Sequence, residues 1–98
     1  MIKHIVCFKL RDGSPEQVET ARDLLLSMKG RVPQVRDLFV GVDFLHSPRS
    51  YDLILEVTVD DRAALDAYQH DPYHCATVKT HMHAVQESSI AVDVELPD

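Results

Sequence analysis

The opening stretch of the chain, MIKHIVCFKL, alternates with the period of two that marks a β-strand. One face of this strand carries the even-numbered residues from Ile2 to Leu10, which are apolar except for His4. The other face mixes lysines with Ile5 and Cys7. A strand with apolar side chains on both faces belongs to a sheet that is covered on both sides. The chain is therefore expected to form a sheet with helices on one face and a second cover on the other.

The residues after this strand predict a helix. Ser14 fits the N-cap, Pro15 the first helical position and Gln17 the third, which together form a capping-box pattern. Apolar residues then recur at helical spacing as far as Met28. Gly30 is placed to end the helix, because glycine adopts the left-handed conformation found after helix ends.

The second half of the chain predicts three strands and a broken helical region. Residues 36–45 and 51–59 read as strands separated by a polar loop, and residues 88–96 read as the last strand. Residues 60–69 begin with an Asp cap and predict a short helix. Asp71 and Pro72 then fit the N-cap and first position of another helix, which ends near Ala84.

The predicted element order is β-α-β-β-α-β, which is the ferredoxin-like arrangement of the α+β class. The 98 residues suit a single domain spanning residues 1–98, with one modest core and a four-stranded antiparallel sheet. Helices would cover one sheet face and leave Ile5, Cys7 and Ile54 on the other. A second copy of the chain is the economical cover, so the sequence predicts a homodimer.

The charge balance limits the partners. The formal net charge is −6 and there is no long basic run, which argues against nucleic acid and anionic membranes. Cys7 and Cys75 form neither a disulfide framework nor a CxxC motif, which favours reduced thiols. The first residues do not resemble a signal peptide, and no stretch has the length and apolarity of a membrane span. These observations predict a cytoplasmic protein.

The segment AYQHDPYH concentrates aromatic and imidazole rings around the Asp71–Pro72 helix start. In a helix beginning at Pro72, His74 lies on the same side as the following apolar residues. His4 shares a strand face with apolar residues, and Tyr68 lies on the preceding helix. We therefore expect the rings of His4, Tyr68 and His74 to point between the helices and the sheet.

Two interpretations of these three rings remain open. They can be core residues that satisfy one another and the backbone, since buried polar atoms need partners. Alternatively, they line a ligand cavity in which His74 is a general base, Tyr68 donates a hydrogen bond to a developing oxyanion and His4 orients the others. The positive end of a helix would keep His74 neutral, as a base requires.

The sequence predicts no metal site and no cofactor. His70 and His74 are four residues apart, but Pro72 separates them. His81 and His83 are two residues apart and point to different sides of a helix. No phosphate-binding glycine loop, nucleophile elbow or zinc-protease motif is present in the sequence.

The chain resembles the stress-responsive α/β-barrel family, also called Dabb, over nearly its whole length. The segments that carry the resemblance are MIKHIVCFKL, VGVDF, YDLILEVTVDDRAALDAYQHDPYH and SIAVDVE. The resemblance implies a ferredoxin-like protomer and a dimer in which two sheets form a barrel. It implies less about activity, because many bacterial members have no assigned reaction.

One plant branch of this family contains polyketide cyclases that catalyse an intramolecular aldol condensation. Its strand-one His, helix Tyr and HPxH His correspond to His4, Tyr68 and His74 here. Its strand-three His and helix-one Tyr are replaced by Leu53 and Leu25. The resemblance thus leaves three interpretations: a barrel that binds a small apolar molecule, a cofactor-free cyclase-like enzyme, and a heme- or metal-linked monooxygenase-like barrel.

Overall fold

A computed structural model describes residues 1–97 of the chain and contains a four-stranded antiparallel sheet. The strands are β1 (Ile2–Leu10), β2 (Asp37–Val42), β3 (Leu53–Val59) and β4 (Gln86–Glu95), and their order across the sheet is β2-β3-β1-β4. The helices are α1 (Pro15–Leu26), α2 (Arg62–Gln69), a π-helix (His74–Lys79) and α3 (Thr80–Val85). The predicted α+β ferredoxin-like protomer is confirmed.

The predicted helix starts are present, each with its capping hydrogen bond. The Ser14 side chain accepts from the backbone N–H of Gln17, and the Asp61 side chain accepts from that of Ala64. The end of α1 differs from the prediction, because the helix stops at Leu26 and its C-cap is Ser27. Tight turns follow, and Gly30, whose φ of 83° is left-handed, lies within the one in which the Val32 N–H donates to the Met28 carbonyl. The glycine therefore belongs to a turn after the helix rather than to the helix end itself.

The strands also differ in length from the sequence prediction. The predicted strand at 36–45 is shortened to β2, and the strand predicted from residue 51 begins two residues later at Leu53. In the connecting loop, the Asp43 N–H still donates to the Asp52 carbonyl at 2.9 Å. The last strand begins earlier than predicted, at Gln86, directly after α3. The chain passes from helix to strand there without a loop, which places the end of α3 beside β4.

The helix predicted to start at Asp71 contains a π-helix that the sequence did not predict. Asp71 Oδ1 accepts from the backbone N–H groups of Tyr73 and His74, at 2.9 and 3.1 Å, as an N-cap does. The chain then forms the π-helix before returning to α-helical geometry at Thr80. In a π-helix the backbone hydrogen bonds join residues five apart. His74 and Lys79, its first and last residues, therefore lie about one turn apart.

The hydrophobic core lies between the helices and one sheet face, which we call the inner face. Core residues from α1 and the turns after it include Ala21, Leu25, Met28 and Val32, each at most 1% exposed. The helices of the second half add three more buried side chains: Tyr68, Val78 and Met82. In residues 1–97, no helix has the length and apolarity needed to cross a membrane.

The opposite side of the sheet, which we call the outer face, is not covered by any helix within residues 1–97. Three alternate residues of β4 that point to this face are apolar and exposed: Ile90 is 50%, Val92 55% and Val94 38% accessible. The strand register places Val92 opposite Ile5, and Ile90 opposite Cys7. These apolar residues, which share the face with the Lys3–Glu56 ion pair, give the sheet a second apolar surface that the helices do not bury.

Candidate functional site

The three rings selected from the sequence lie together between the sheet and the second helical region. The Tyr68 ring is stacked on the His74 imidazole, with centroids 4.2 Å apart, and the His4 imidazole meets Tyr68 edge-on at 5.6 Å. All three are buried, and Tyr68 is fully inaccessible. The sequence expectation that these rings point between helices and sheet is thus met by the geometry of the structure.

The same three residues line a cavity of about 250 Å³ that opens at the β4 side of the protomer. Its walls are mostly apolar and come from the inner sheet face and from the helices: Val6, Phe8, Leu55, Leu25, Val78 and Met82. Ligand pockets in proteins are commonly 300–1,000 Å³ in volume. The cavity is slightly smaller than that range and suits a small ligand.

The two leucines that replace polar residues of the plant cyclases are placed differently. Leu25 lines the cavity, and it is the residue that corresponds to the helix-one Tyr of the plant cyclases. Leu53 is a buried core residue next to β1, paired in register with Phe8, and Leu55 provides the β3 contribution to the cavity wall. The cavity is therefore apolar on its α1 wall, at Leu25, and on its β3 wall, at Leu55.

The other rings of the AYQHDPYH segment lie outside the cavity. The Tyr73 hydroxyl shares a 2.6 Å hydrogen bond with the Ser27 hydroxyl beyond the end of α1. His70 is exposed, and its Nδ1 lies 2.8 Å from the Asp66 carbonyl. Tyr73 thus connects two helical regions, and His70 lies at the surface. Of the four rings in this segment, Tyr68 and His74 line the cavity.

His74 is fixed by a hydrogen bond that also sets its tautomer. Its Nδ1 donates to the Tyr68 carbonyl oxygen at 3.0 Å, so in the neutral ring Nε2 is left as an acceptor. Burial lowers the pKa of His74 below its ordinary value of 6.5, and the nearby charge of Lys79 lowers this pKa further. The residue is therefore neutral at physiological pH and presents an acceptor nitrogen to the cavity.

This pKa shift predicts a loss of stability in acid. In the unfolded chain His74 takes up a proton as the pH falls below 6.5, whereas the folded protein resists protonation until its lower pKa is reached. The contribution of His74 to the free energy of unfolding is therefore fully present above pH 6.5. It decreases as the pH falls below 6.5, by at most about 1.4 kcal/mol per pH unit. Urea unfolding between pH 7.5 and pH 5.0 should show a steeper loss in the wild type than in His74→Gln. The exposed His70→Gln variant is the control, and equal slopes for wild type and His74→Gln would contradict the prediction.

His4 is hydrogen-bonded to a carboxylate that was not among the predicted site residues. Asp93 on β4 lies directly opposite His4 in the strand register, and its Oδ1 accepts a hydrogen bond from His4 Nδ1. This contact leaves His4 Nε2 for a ligand in the cavity. The signal was present in the sequence, because the alternation that places Val92 and Val94 on the outer face places Asp93 on the inner one.

The Tyr68 hydroxyl makes its hydrogen bond within the protein. It donates to the Met28 Sδ at 3.7 Å, and a thioether sulfur is a weak acceptor. Burial raises the pKa of Tyr68 well above its ordinary value, and the Asp71 carboxylate adds to this effect. The residue is therefore a neutral phenol, and its ring forms part of the cavity wall between the two imidazoles.

Neither cysteine is part of a disulfide, and the side chains do not form a metal-binding cluster in the part of the chain that the structure describes. Cys7 and Cys75 are free and half-buried. Burial raises the pKa of the Cys7 thiol, and the Glu56 charge raises it further, so the thiol is protonated at neutral pH. Within residues 1–97, no three His, Cys, Asp or Glu side chains are grouped so that they could hold a metal ion.

Comparison with known proteins gives one family and several solved structures of the same fold. The sequence profile of the stress-responsive A/B barrel domain matches residues 2–96. An uncharacterized protein of Streptomyces coelicolor is 31% identical over 81 residues, which are 80% of this chain and 84% of that protein. A dimeric ferredoxin-like protein of unknown function from Thermobifida fusca superimposes with a TM-score of 0.84 at 26% identity, covering 97% of this chain and 90% of the other.

Two enzymes share the fold at lower identity. A hydroxynitrile lyase from Passiflora edulis has a TM-score of 0.81 at 14% identity, covering 99% of this chain and 94% of the enzyme. An antibiotic biosynthesis monooxygenase has a TM-score of 0.73 at 20% identity and covers the whole length of both chains. At these identities the likeness concerns the fold alone.

Proposed function

The chain belongs to the stress-responsive A/B barrel (Dabb) family, and we propose that it is a homodimeric protein that binds a small, mostly apolar molecule between its sheet and its helices. The observation that carries this proposal is the cavity of about 250 Å³, in which apolar walls surround two imidazoles fixed at their Nδ1 atoms. A mostly apolar cavity with a few convergent polar groups is the usual form of a small-molecule site.

The two histidines define the polar part of the ligand. His74 is neutral and offers an acceptor at Nε2, which pairs with a hydroxyl of the ligand. His4, held by Asp93, presents its own Nε2 from the sheet side. A small molecule with an apolar body and a hydroxyl that donates to one of these Nε2 atoms would match both the apolar and the polar lining of the cavity.

Filling the cavity tests the proposal. Ala91 lies on the inner face of β4 at the open side of the cavity, so Ala91→Phe should occupy ligand volume without burying a new polar group. We expect phenol and short aliphatic alcohols, titrated into the labelled wild type, to shift amide resonances around the cavity. In Ala91→Phe these shifts should be lost, whereas Ala84→Phe, an exposed position outside the cavity, should retain them. Equal binding by wild type and Ala91→Phe would refute the pocket as the binding site.

The homodimer is supported by the apolar outer face. The exposed row of β4 continues across the sheet to Phe39, which is 55% exposed, and a shallow depression beside it is lined by Cys7, Gly41 and Ile54. Phe44 in the adjoining loop is 88% exposed. A contiguous apolar patch of this kind is typical of an interface. A second copy is the occupant we propose, because the Thermobifida fusca protein of the same fold is described as dimeric.

A second candidate function is cofactor-free proton transfer in the same cavity. It is favoured by the neutral Nε2 of His74, because a buried imidazole that remains unprotonated at physiological pH can act as a general base. In this proposal His74 is the base, the Tyr68 hydroxyl supplies the hydrogen-bond donor on leaving Met28 Sδ, and His4, held by Asp93, orients the other two groups. Deuterium incorporation into acetylacetone, measured by NMR in D₂O, separates the two functions, since a binding protein without catalysis would not accelerate it.

A further inference from the structure

Lys79 is a cation at a cavity whose lining carries no carboxylate. The chain as a whole has sixteen Asp and Glu against ten Lys and Arg. Yet within residues 1–97 no Asp or Glu lines the cavity, and Lys79 does. The side chains that line the cavity thus carry a positive charge in a protein of negative net charge, which indicates a ligand with a negative charge.

The two carboxylates that contact residues of the cavity lining already accept hydrogen bonds from other groups. Asp93 accepts a hydrogen bond from His4, and Asp71 accepts two backbone N–H groups at the start of the helix. Neither is hydrogen-bonded to Lys79. The Lys79 ammonium donates to the Gln69 carbonyl at 3.2 Å, which uses one of its three donors and leaves two. Its charge also reaches the cavity interior, because it lowers the pKa of His74.

The π-helix explains how the cation and the base come to share one cavity. His74 begins the π-helix and Lys79 ends it, and the i to i+5 hydrogen bonding places them about one turn apart. His74 is buried, whereas Lys79 is half-buried near the polar residues Gln69, His83 and Gln86 at the open side. A ligand that enters from this side would meet the ammonium first and the imidazoles afterwards.

We propose that the ligand of the cavity is a small monocarboxylate, with its carboxylate on Lys79 at the opening and the far end of its body, including any hydroxyl, directed toward His4 and His74. This inference rests on the binding function proposed above and names the class of its ligand. A single ammonium matches one negative charge. Phosphate sites, in contrast, usually combine several backbone N–H groups with the positive end of a helix.

The test compares acids with their neutral amides. Hexanoate against hexanamide, and 4-hydroxybenzoate against 4-hydroxybenzamide, differ in charge while keeping the apolar body. In NMR titrations at pH 7.5 we expect each acid to bind wild-type protein about tenfold more tightly than its amide, as loss of a charge-assisted hydrogen bond would predict. Lys79→Met should abolish this preference, and Lys29→Met, at an exposed lysine outside the cavity, should retain it.

The outcomes separate this inference from the function on which it rests. Equal affinity for acid and amide in the wild type, unchanged in Lys79→Met, would overturn the carboxylate inference while the pocket remains a binding site. Failure of all four probes to bind at millimolar concentration would overturn both. A purely structural role of Lys79, as a partner of the Gln69 carbonyl, would lower the unfolding temperature of Lys79→Met without changing the ratio of acid to amide affinity.

Discussion

The Val92→Asp variant should fail to form the dimer under conditions in which the wild type is dimeric. Val92 lies at the centre of the apolar row of β4, is 55% exposed in the protomer and faces Ile5 across the strand pair. Pairing of two outer faces would bury this position, and an unpaired buried carboxylate costs several kcal/mol. A two-fold interface contains the substitution twice. We therefore expect the dimer dissociation constant to rise at least roughly a thousandfold.

Analytical ultracentrifugation across a concentration series measures this change. The control is Ala63→Asp, an exposed position on α2, which belongs to the helix layer on the other side of the sheet. Circular dichroism of Val92→Asp distinguishes a folded monomer from a chain that unfolds when its partner is removed, and either result supports the outer-face dimer. A dimeric Val92→Asp protein at the wild-type dissociation constant would show that the two copies associate through another surface.

The second large effect is expected for Tyr68→Ala, which should lower the free energy of unfolding by about 3–5 kcal/mol, as for other buried aromatic side chains. Tyr68 is fully buried and lies between His74, at 4.2 Å, and His4, at 5.6 Å. Removing its ring leaves a cavity and deletes the aromatic contacts with both imidazoles. In a domain of this size the loss corresponds to more than about 12 °C in unfolding temperature.

Tyr68→Phe separates the ring from its hydroxyl. The variant keeps the stacked aromatic surface and removes only the hydrogen bond to Met28 Sδ, a weak acceptor at 3.7 Å. We expect it to cost less than about 1.5 kcal/mol. Urea unfolding at one fixed protein concentration compares the variants, since association would otherwise change the apparent stability. If Tyr68→Phe were as unstable as Tyr68→Ala, the hydroxyl rather than the ring would be the stabilising group.

The sequence contained most of the information needed for the fold. Two kinds of feature depend only on neighbouring residues and are present as predicted. They are the alternation of β1 and the helix caps at Ser14, Asp61 and Asp71. The π-helix was not predicted, because residues 74–79 carry no residue pattern that distinguishes a π-helix from an α-helix. Its buried side chains, His74 and Val78, make tertiary contacts, and such contacts have no local signal in the sequence.

The candidate site was predictable in its position but not in its hydrogen bonds. That His4, Tyr68 and His74 meet follows from strand alternation and helical spacing, and the structure places their rings within stacking distance. The partner of each polar atom depends on tertiary contacts. Asp93 could have been found from the β4 alternation, whereas the contact of the Tyr68 hydroxyl with Met28 joins residues forty positions apart and has no local signal.

Strand β4 carries the proposed dimer surface and one wall of the cavity on alternate residues. Ile90 and Val92 face outward, while Ala91 and Asp93 face the helices. Inserting or deleting one residue would exchange these two sets, because a shift by one position turns every side chain to the other face. During evolution, β4 should therefore accept substitutions that keep apolar residues on the outer face, but no change in length between Ser88 and Asp93, where the pairing with β1 is regular. The spacing of this strand is under stronger constraint than the identity of most of its residues.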